Sequence, residues 1–505
     1  MSRWLIALTV MLPTLIEIID ISIVNVSLDH IRGSLSAGIE ESTWAITAYL
    51  VSNAIVIPMT GWLSRFFGRK KYLMGSITLF TASSFLCGSA WSLTSLIVFR
   101  IIQGIGGGGL QPLSQSILLE AFPPAQHGIA MAIFGIGIMF GPIVGPLLGG
   151  WITDTWSWRW IFYINIPIGI LSIFMVLFVI SDPPYMKRIK MKIDYAGLIL
   201  LVVGLGALQF VLDKGEIEDW FASSMITTIF IISLAALALL VILEFFSDHP
   251  VINLRLFKDR TFSMGNVLMF FVFFNLFGSI VLLPIYLQTL MGYTAFLAGV
   301  VLGPGGISTM MAMAIAGRLS QKTNPKWLLV FGIVMSALST YLMSRFNLHT
   351  DFWTLVWPRV ILGIGMGFIF IPLTTLTLSH IPRERMTDAT SMYNLLRNIG
   401  GSVGVAFVTT ILARRAQFHQ ARLVEHLTPF DMSYVIGKGK IADILTFKGI
   451  HNLNPDTLIY GELQRQAHML AFNDAFQFLS ILMALILFLV FFMRRSKSPG
   501  PVSMH

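Results

Sequence analysis

The feature that most constrains this chain is a series of apolar segments, each about 20 residues long. A helix of about 20 apolar residues is long enough to cross roughly 30 Å of hydrocarbon. The segments begin near residues 4, 42, 72, 95, 127, 158, 194, 221, 262, 294, 326, 352, 387 and 470. They predict an all-α membrane protein with 14 transmembrane helices, and the even number puts both termini on one side.

The distribution of lysine and arginine predicts which side that is. Cytoplasmic loops of membrane proteins carry an excess of these residues. If the N-terminus is cytoplasmic, the inner segments hold 20 of them and the short outer loops hold 4. We therefore expect both termini in the cytoplasm. The net charge of +9 then belongs to the loops of a protein in a lipid bilayer, and we expect no nucleic acid partner.

A weak internal repeat predicts how the helices are grouped. GWLS at 61–64 recurs as GRLS at 317–320, and the glycine pattern after Arg100 recurs after Arg359. The offsets, 256 and 259, are close to half the chain length, although two glycine-rich helices can also look alike by chance. Two related bundles around a central cavity are a transporter architecture. We predict three parts: a six-helix bundle at 1–185, a two-helix insert at 186–255, and a six-helix bundle at 256–505.

The second bundle carries the largest polar segment, at 415–468. We predict that this segment is an extracytoplasmic loop. It either contains short amphipathic helices or is a plain surface loop.

Two acidic residues, Glu17 and Asp20, lie inside the first apolar segment. An ionised side chain near the bilayer centre costs about 2.5 to 3.5 kcal/mol even on insertion scales, so such residues usually face a bundle interior or a water-filled cavity. A spacing of three places the two acids about 60° apart on one helix, and Ser27 falls on the same side. This polar stripe is a candidate functional site.

Arg100 in the fourth segment lies at the same depth as Asp20, roughly 10 to 12 Å from the outer end of its helix. A neighbouring arginine favours the ionised carboxylate, whereas burial favours the protonated form. The balance predicts a proton-coupling role for Asp20. A structural ion pair and direct substrate contact are the alternatives. For Glu17, a second proton site, a cation contact and a cavity-facing polar group all stay open.

Two further groups of residues are candidates in other helices. Arg397 lies between Asn394 and Asn398, either as a hydrogen-bond anchor inside the bundle or as a contact for an anionic or polar substrate. The fifth segment contains GPIVGPLLGG, in which glycines four residues apart give close helix packing and prolines bend the chain. Its residues are Gly141, Gly145, Pro146, Gly149 and Gly150.

The chain has no sequence pattern for a bound nucleotide. GIGGGG at 104–109 satisfies GxGxxG, but it follows no strand and lies within a spanning helix, where glycines serve packing. There is no phosphate-binding loop, so we expect no cofactor and an ion gradient as the energy source.

These motifs together resemble the major facilitator superfamily, and specifically its fourteen-helix drug:proton antiporters of the EmrB type. IDISIVNVSL resembles the first-helix motif of that group, with Asp20 and Asn25 at its acid and asparagine positions. RIIQGIGGGGLQPLSQS resembles the fourth-helix motif with Arg100, and the fifth-helix string resembles the antiporter motif. Ala132 replaces the first glycine of that motif.

The resemblance also covers the loop between the second and third helices. GWLSRFFGRK matches the superfamily gate motif at Gly61, Gly68 and Arg69, while Arg65 stands where the usual aspartate belongs. This departure puts the gating contact of that aspartate in doubt. The resemblance further implies that Asn25 lies at the substrate cavity and that the fifth helix is a hinge.

The resemblance implies proton-driven export of small hydrophobic drugs across a bacterial inner membrane by alternating access. It also implies a periplasmic membrane-fusion adaptor and an outer-membrane channel as partners, with the long outer loop as an adaptor contact. A dedicated exporter of one compound class, such as a siderophore, an amino acid or a lipid, is the alternative. A membrane enzyme is not expected because the sequence has no catalytic constellation, and a non-transporting sensor is a further alternative.

Overall fold

The computed structural model describes residues 2–183, 194–247, 250–425, 427–448 and 454–493, and these residues are almost entirely helical. The first eight helices are α1 Arg3–Leu35, α2 Ile39–Phe67, α3 Arg69–Gly88, α4 Leu93–Gly107, α5 Leu110–Ala121, α6 His127–Thr155, α7 Trp160–Tyr163 and α8 Asn165–Val179. The others are α9 Tyr195–Lys214, α10 Ser224–Phe246, α11 Arg260–Ile285, α12 Ala295–Leu319, α13 Pro325–Met343, α14 Phe352–Leu378, α15 Met386–Val424, α16 Met432–Phe447 and α17 Pro455–Phe492. The predicted all-α fold is confirmed.

Among the described residues, 13 helical segments are long and apolar enough to cross a membrane. The predicted span near residue 72 corresponds to α3, which is not one of them, so the count of 14 stays a prediction. However, α3 runs antiparallel to α7 and α8 over their whole length. The amide of Lys70 donates to Asp182 at 2.8 Å at one end, and Ser89 hydrogen-bonds Tyr163 at 3.1 Å at the other. We call the side on which α1 begins the near side and the opposite one the far side.

The helices pack as two sets, which we call the N-terminal set (α1 to α8) and the C-terminal set (α11 to α17). The two sets meet where α15 packs on α2 and α5, and where α12 packs on α6. Helices α9 and α10 pack on each other, and α9 also contacts α2 and α15. The predicted boundary between 1–185 and 186–255 falls at residues 184–193, outside the described part. The predicted division into three parts stays a prediction.

The structure differs from the prediction in the segment 415–468. The described residues of this segment are largely helical, because α15 continues to Val424, α16 follows, and α17 begins at Pro455 rather than near 470. The predicted short amphipathic helices are therefore turns of the two long helices. Asp474 joins these helices, since it accepts hydrogen bonds from Arg415 at 2.5 Å and from His419 at 2.6 Å.

The glycine run 104–109 divides the predicted fourth spanning helix into α4 and α5, with a turn at Gly108 and Gly109. The turn follows from the low helix propensity of glycine. The expected close packing is present, because a Cβ at Gly106 would lie 2.6 Å from the backbone nitrogen of Phe80. The turn separates Arg100 on α4 from the glutamines of α5.

Candidate functional site

The structure brings Asp20 and Arg100 into direct contact in the interior of the N-terminal set. Nη1 of Arg100 donates a hydrogen bond to Oδ2 of Asp20 at 2.6 Å. The side chain of Arg100 is 1% exposed and that of Asp20 is 0% exposed. Arg100 is also held by the carbonyl oxygen of Ala45 at 2.9 Å and lies 4.1 Å above the ring of Tyr49. The arginine is therefore held by two contacts with α2 while its charge is directed at the carboxylate on α1.

Two amide side chains complete the partners of Asp20. Its Oδ1 accepts hydrogen bonds from Gln103 at 2.9 Å and from Asn165 at 2.8 Å, and both amides also donate to Ser84. Neither amide was predicted as a site residue from the sequence. Gln103 could have been found from its position one helical turn after Arg100 on the same face. We call Asp20, Arg100, Gln103, Asn165 and Ser84 the Asp20 network.

In every hydrogen bond described for Asp20, the carboxylate oxygen is the acceptor and a side-chain N–H group is the donor. An ionised carboxylate only accepts hydrogen bonds, so this arrangement is matched to the charged form. A protonated carboxyl would place its O–H against N–H groups of the surrounding side chains. Arrival of a proton at Asp20 therefore requires the network to rearrange, which is the chemical property that a proton-dependent switch needs.

Glu17 lies one turn nearer to the near side, in a separate set of contacts, and is 1% exposed. Its Oε1 accepts hydrogen bonds from Asn53 on α2 and from Gln111 on α5, both at 3.1 Å. Its Oε2 is buried without a hydrogen-bond partner among the described residues. This acid therefore has one well-paired oxygen and one open to a proton or another donor.

The predicted cavity residues occupy different environments. Arg397 donates to Oε1 of Gln111 and lies 3.3 Å from Oδ1 of Asn398. Asn394 donates to Gln115 at 2.6 Å, so it contacts the N-terminal set. Asn25 is exposed and lies apart from these contacts. The structure therefore brings Arg397 and Asn394 to the contact between the two sets and does not bring Asn25 there.

Three of the predicted hinge glycines pack against α1 on either side of Asp20. A Cβ at Gly141 would overlap Ile18, one at Gly145 would lie 2.5 Å from Cβ of Ser22, and one at Gly149 would lie 2.8 Å from Ile23. A Cβ at Gly150 would have no atom within 4 Å. The side chain of Pro146 is outside the described part of the structure. The glycine spacing thus determines how closely α6 approaches the helix that carries the acids.

We expect Gly145→Ala to lower stability by about 1 to 3 kcal/mol, because the new methyl group overpacks a filled contact. Gly150→Ala is the matched control, since it adds the same group on the same helix in open space. The measurement is thermal unfolding of the two purified variants beside the wild type. Equal midpoints for both variants would contradict the packing role of Gly145.

The predicted gate residues lie at the near side, between α2 and the start of α15. Arg65 forms an ion pair with Asp388 of α15, so the arginine that replaces the usual aspartate has its own acidic partner. Gly61 packs directly against Asp388 and has no room for a side chain. Gly68 has φ of +86°, a conformation that glycine adopts at no steric cost. Arg69 pairs with Glu120 at 2.7 Å and also donates to Thr387 at 3.2 Å.

One face of α15 makes a series of contacts with α5. Thr390 donates to the carbonyl oxygen of Pro112 at 3.0 Å, and Thr387 hydrogen-bonds Ser116 at 3.0 Å. The residues of α15 that reach across are Thr387, Thr390, Asn394 and Arg397, and their spacing of three to four residues places them on one side of the helix. With the Arg65 ion pair, these contacts join the two sets from Arg397 to the near side.

The C-terminal counterpart of Arg100 has a different environment. Arg359 is also buried, but its Nε and Nη1 atoms have no hydrogen-bond partner among the described residues. The two sets therefore share the position of the arginine, but among the described residues only Arg100 has an acid in contact with it.

Membrane-crossing helices in two packed sets, with charged side chains buried within one set and across their contact, are the architecture of a membrane transporter. A family model of the Major Facilitator Superfamily matches residues 10–405. The chain belongs to the major facilitator superfamily, as its motifs indicated, and its EmrB-type resemblance is confirmed by its relatives.

Two relatives and one solved structure define these similarities. The multidrug export protein EmrB of Escherichia coli K12 is 40% identical over 421 residues, which are 83% of this chain and 82% of that protein. The fatty acid resistance protein FarB of Neisseria gonorrhoeae is 36% identical over 482 residues, 95% and 94% of the two chains. The human organic anion transporter MFSD10 has a TM-score of 0.64 at 12% identity, covering 97% of this chain and 100% of that one, and this similarity concerns the fold alone.

Proposed function

We propose that this protein is a proton-driven multidrug efflux antiporter that works by alternating access. The observation that carries the proposal is the buried Asp20 network, in which an ionisable carboxylate is matched by donors to its charged form. Buried acids of this kind mark ion and proton pathways in transporters. The export of drugs is supported by relatives that are named multidrug export proteins.

We place the near side in the cytoplasm, because the predicted inner segments carry most of the lysine and arginine residues. The contacts between α5 and α15 then close the cytoplasmic side. In this conformation a proton from outside reaches Asp20, and the rearranged network favours opening of the contacts between the two sets. Cargo enters from the cytoplasmic side, and release of the proton there restores the closed form.

We further propose a bacterial inner membrane location with both termini in the cytoplasm. The far-side portions of α15 and α17, together with α16, are the proposed contact for a periplasmic membrane-fusion adaptor, which would lead to an outer-membrane channel. The proposal includes no cofactor and no enzymatic reaction, since the proton gradient supplies the energy.

The test is proton release from the purified protein when compounds from a chemically diverse panel are added in weakly buffered solution. We expect release with many unrelated hydrophobic compounds, because an antiporter exchanges the two ligands. Release with a single compound class would favour the narrower function. No release with any compound that binds, as measured by calorimetry, would contradict proton antiport.

A dedicated exporter of amphipathic carboxylates is the second candidate function. It is supported by the similarity to FarB, a fatty acid resistance protein, over 95% of this chain. It also agrees with the unpartnered guanidinium nitrogens of Arg359 and Arg397 among the described residues, since arginine is well suited to bind carboxylates. The compound panel separates the two candidates.

A further inference from the structure

Among the described residues, Gln111 is the side chain that contacts both Glu17 and Arg397. Its Nε2 donates to Oε1 of Glu17 on α1 at 3.1 Å, and its Oε1 accepts a hydrogen bond from Arg397 on α15. The orientation of this amide is determined by chemistry, because a carboxylate only accepts and a guanidinium only donates. A single buried amide therefore connects an acid of the N-terminal set to a cation of the C-terminal set.

We propose that Gln111 is a positioning residue that transmits the protonation state of Glu17 to the contact between α5 and α15. A protonated Glu17 is a weaker acceptor, and its new O–H group requires an acceptor of its own. The carbonyl oxygen of the Gln111 amide already lies in this contact and supplies that acceptor when the amide turns over. The turn directs the NH2 group at Arg397, so two donors face each other and the hydrogen bond between Gln111 and Arg397 is lost, which weakens the contact between the sets.

The charged and titratable groups around Glu17 are consistent with this assignment. Asp20 lies one turn along α1, Tyr49 lies on α2, Arg100 of α4 is neutralised by Asp20, and Arg397 approaches from α15. Helix α6 presents glycines to α1 at this level. Among the described residues, Arg397 is thus the cation of the C-terminal set that is linked to Glu17, and Gln111 makes the link.

Two other amides provide matched controls. Asn53 donates to the same oxygen of Glu17 at the same distance of 3.1 Å, but it belongs to the N-terminal set and its described partner lies within that set. Gln115 lies one turn after Gln111 on α5 and accepts a hydrogen bond from Asn394 of α15 at 2.6 Å, and among the described residues it hydrogen-bonds no acid. Asn53 therefore tests the contact to the acid alone, and Gln115 tests the contact between the sets alone.

The inference rests on the proposed proton antiport, and its experiment measures both. Spin labels on cysteines at Ala125 and Gln321, two exposed near-side positions on opposite sets, report the separation of the sets in the purified full-length protein. Distances are recorded in mildly acidic and mildly alkaline buffer for the wild type and for Gln111→Met, Gln111→Glu, Asn53→Leu and Gln115→Met. Proton release on addition of drug is measured in the same samples.

In the wild type we expect the ratio of open to closed molecules to change by about tenfold with pH, a typical coupling between two sites. Gln111→Met should remove the part of this pH response that comes from Glu17 and leave a smaller response from Asp20, while proton release persists. Gln111→Glu should keep the near side closed at both pH values, because its carboxylate accepts from Arg397 permanently. Asn53→Leu and Gln115→Met should shift the ratio but retain its pH response.

If Gln111→Met releases protons on addition of drug and its open-to-closed ratio changes with pH as in the wild type, this inference is overturned while the antiport proposal stands. An open near side in Gln111→Glu at both pH values would also overturn it. A wild type that neither releases protons nor responds to pH would overturn the antiport proposal and, with it, this inference.

Discussion

Asp20→Asn is expected to reduce drug transport driven by a pH gradient in proteoliposomes to the level of empty liposomes, while drug binding is retained. Asparagine has nearly the shape of aspartate but cannot carry the proton that an antiporter exchanges. Its amide nitrogen also cannot accept the hydrogen bonds that were donated to the oxygen it replaces, which are either the one from Arg100 or those from Gln103 and Asn165. Loss of coupled transport and of drug-induced proton release should therefore occur together.

This substitution leaves Arg100 buried without its counter-ion, which typically costs about 3 to 5 kcal/mol when one partner of a buried pair is removed. Thermal unfolding must therefore accompany the transport measurement. Asp20→Glu keeps an ionisable group and should retain part of the coupled transport. Asn25→Ala, at an exposed position on the same helix, is the control that should transport normally. Wild-type coupling in folded Asp20→Asn protein would refute the role of Asp20.

Reversing the near-side ion pair is expected to give the second largest effect. Arg65→Asp and Asp388→Arg should each open the near side, because like charges then face each other across the contact between α2 and α15. The double variant should restore the closed form, since it recreates the pair in the opposite order. We expect each single change to alter the open-to-closed ratio about 5- to 150-fold, the usual range for coupled sites.

The double variant will not recover completely. Asp388 lies in the first turn of α15, where the helix dipole favours a negative charge, and an arginine there loses this contribution of about 0.3 to 1 kcal/mol. Labels at Ala125 and Gln321 report the opening, and Cys87 does not interfere because the chain's single cysteine is buried. Equal distances in all four proteins would show that this ion pair does not hold the near side closed.

The sequence predicted those features that depend on one helix or on depth in the membrane. The pairing of Asp20 with Arg100 followed from their equal distances to the helix ends, and the contact of Gly141 and Gly145 with another helix followed from their spacing. Gly150 belongs to the same motif but faces open space. The motif therefore predicted a helix-packing face but not which of its glycines contact the neighbouring helix.

The contacts between the two sets of helices could not be predicted, because they depend on how the sets are placed against each other. Gln111 and Gln115 lie four residues apart on α5, a spacing that indicates a polar face but not its partners. Asp388 gave no signal as the partner of Arg65, since 323 residues separate them in the chain. The long polar segment was predicted as a loop because low apolarity was taken to end the helices, whereas α15 and α17 continue beyond the apolar region.

The buried charges also restrict what can share the interior with a proton. Among the described residues, the buried charges that lie away from the ends of membrane-crossing helices are Glu17, Asp20, Arg100, Arg359 and Arg397. In this middle region the three arginines outnumber the two acids even when both acids are ionised. Each proton that binds to an acid makes this interior more positive by one charge. At about 10 Å and an effective dielectric constant near 20, one added charge repels a cationic cargo by roughly 1.7 kcal/mol. A cationic drug and a proton therefore weaken each other's binding through the field alone, even where they share no atom of the site.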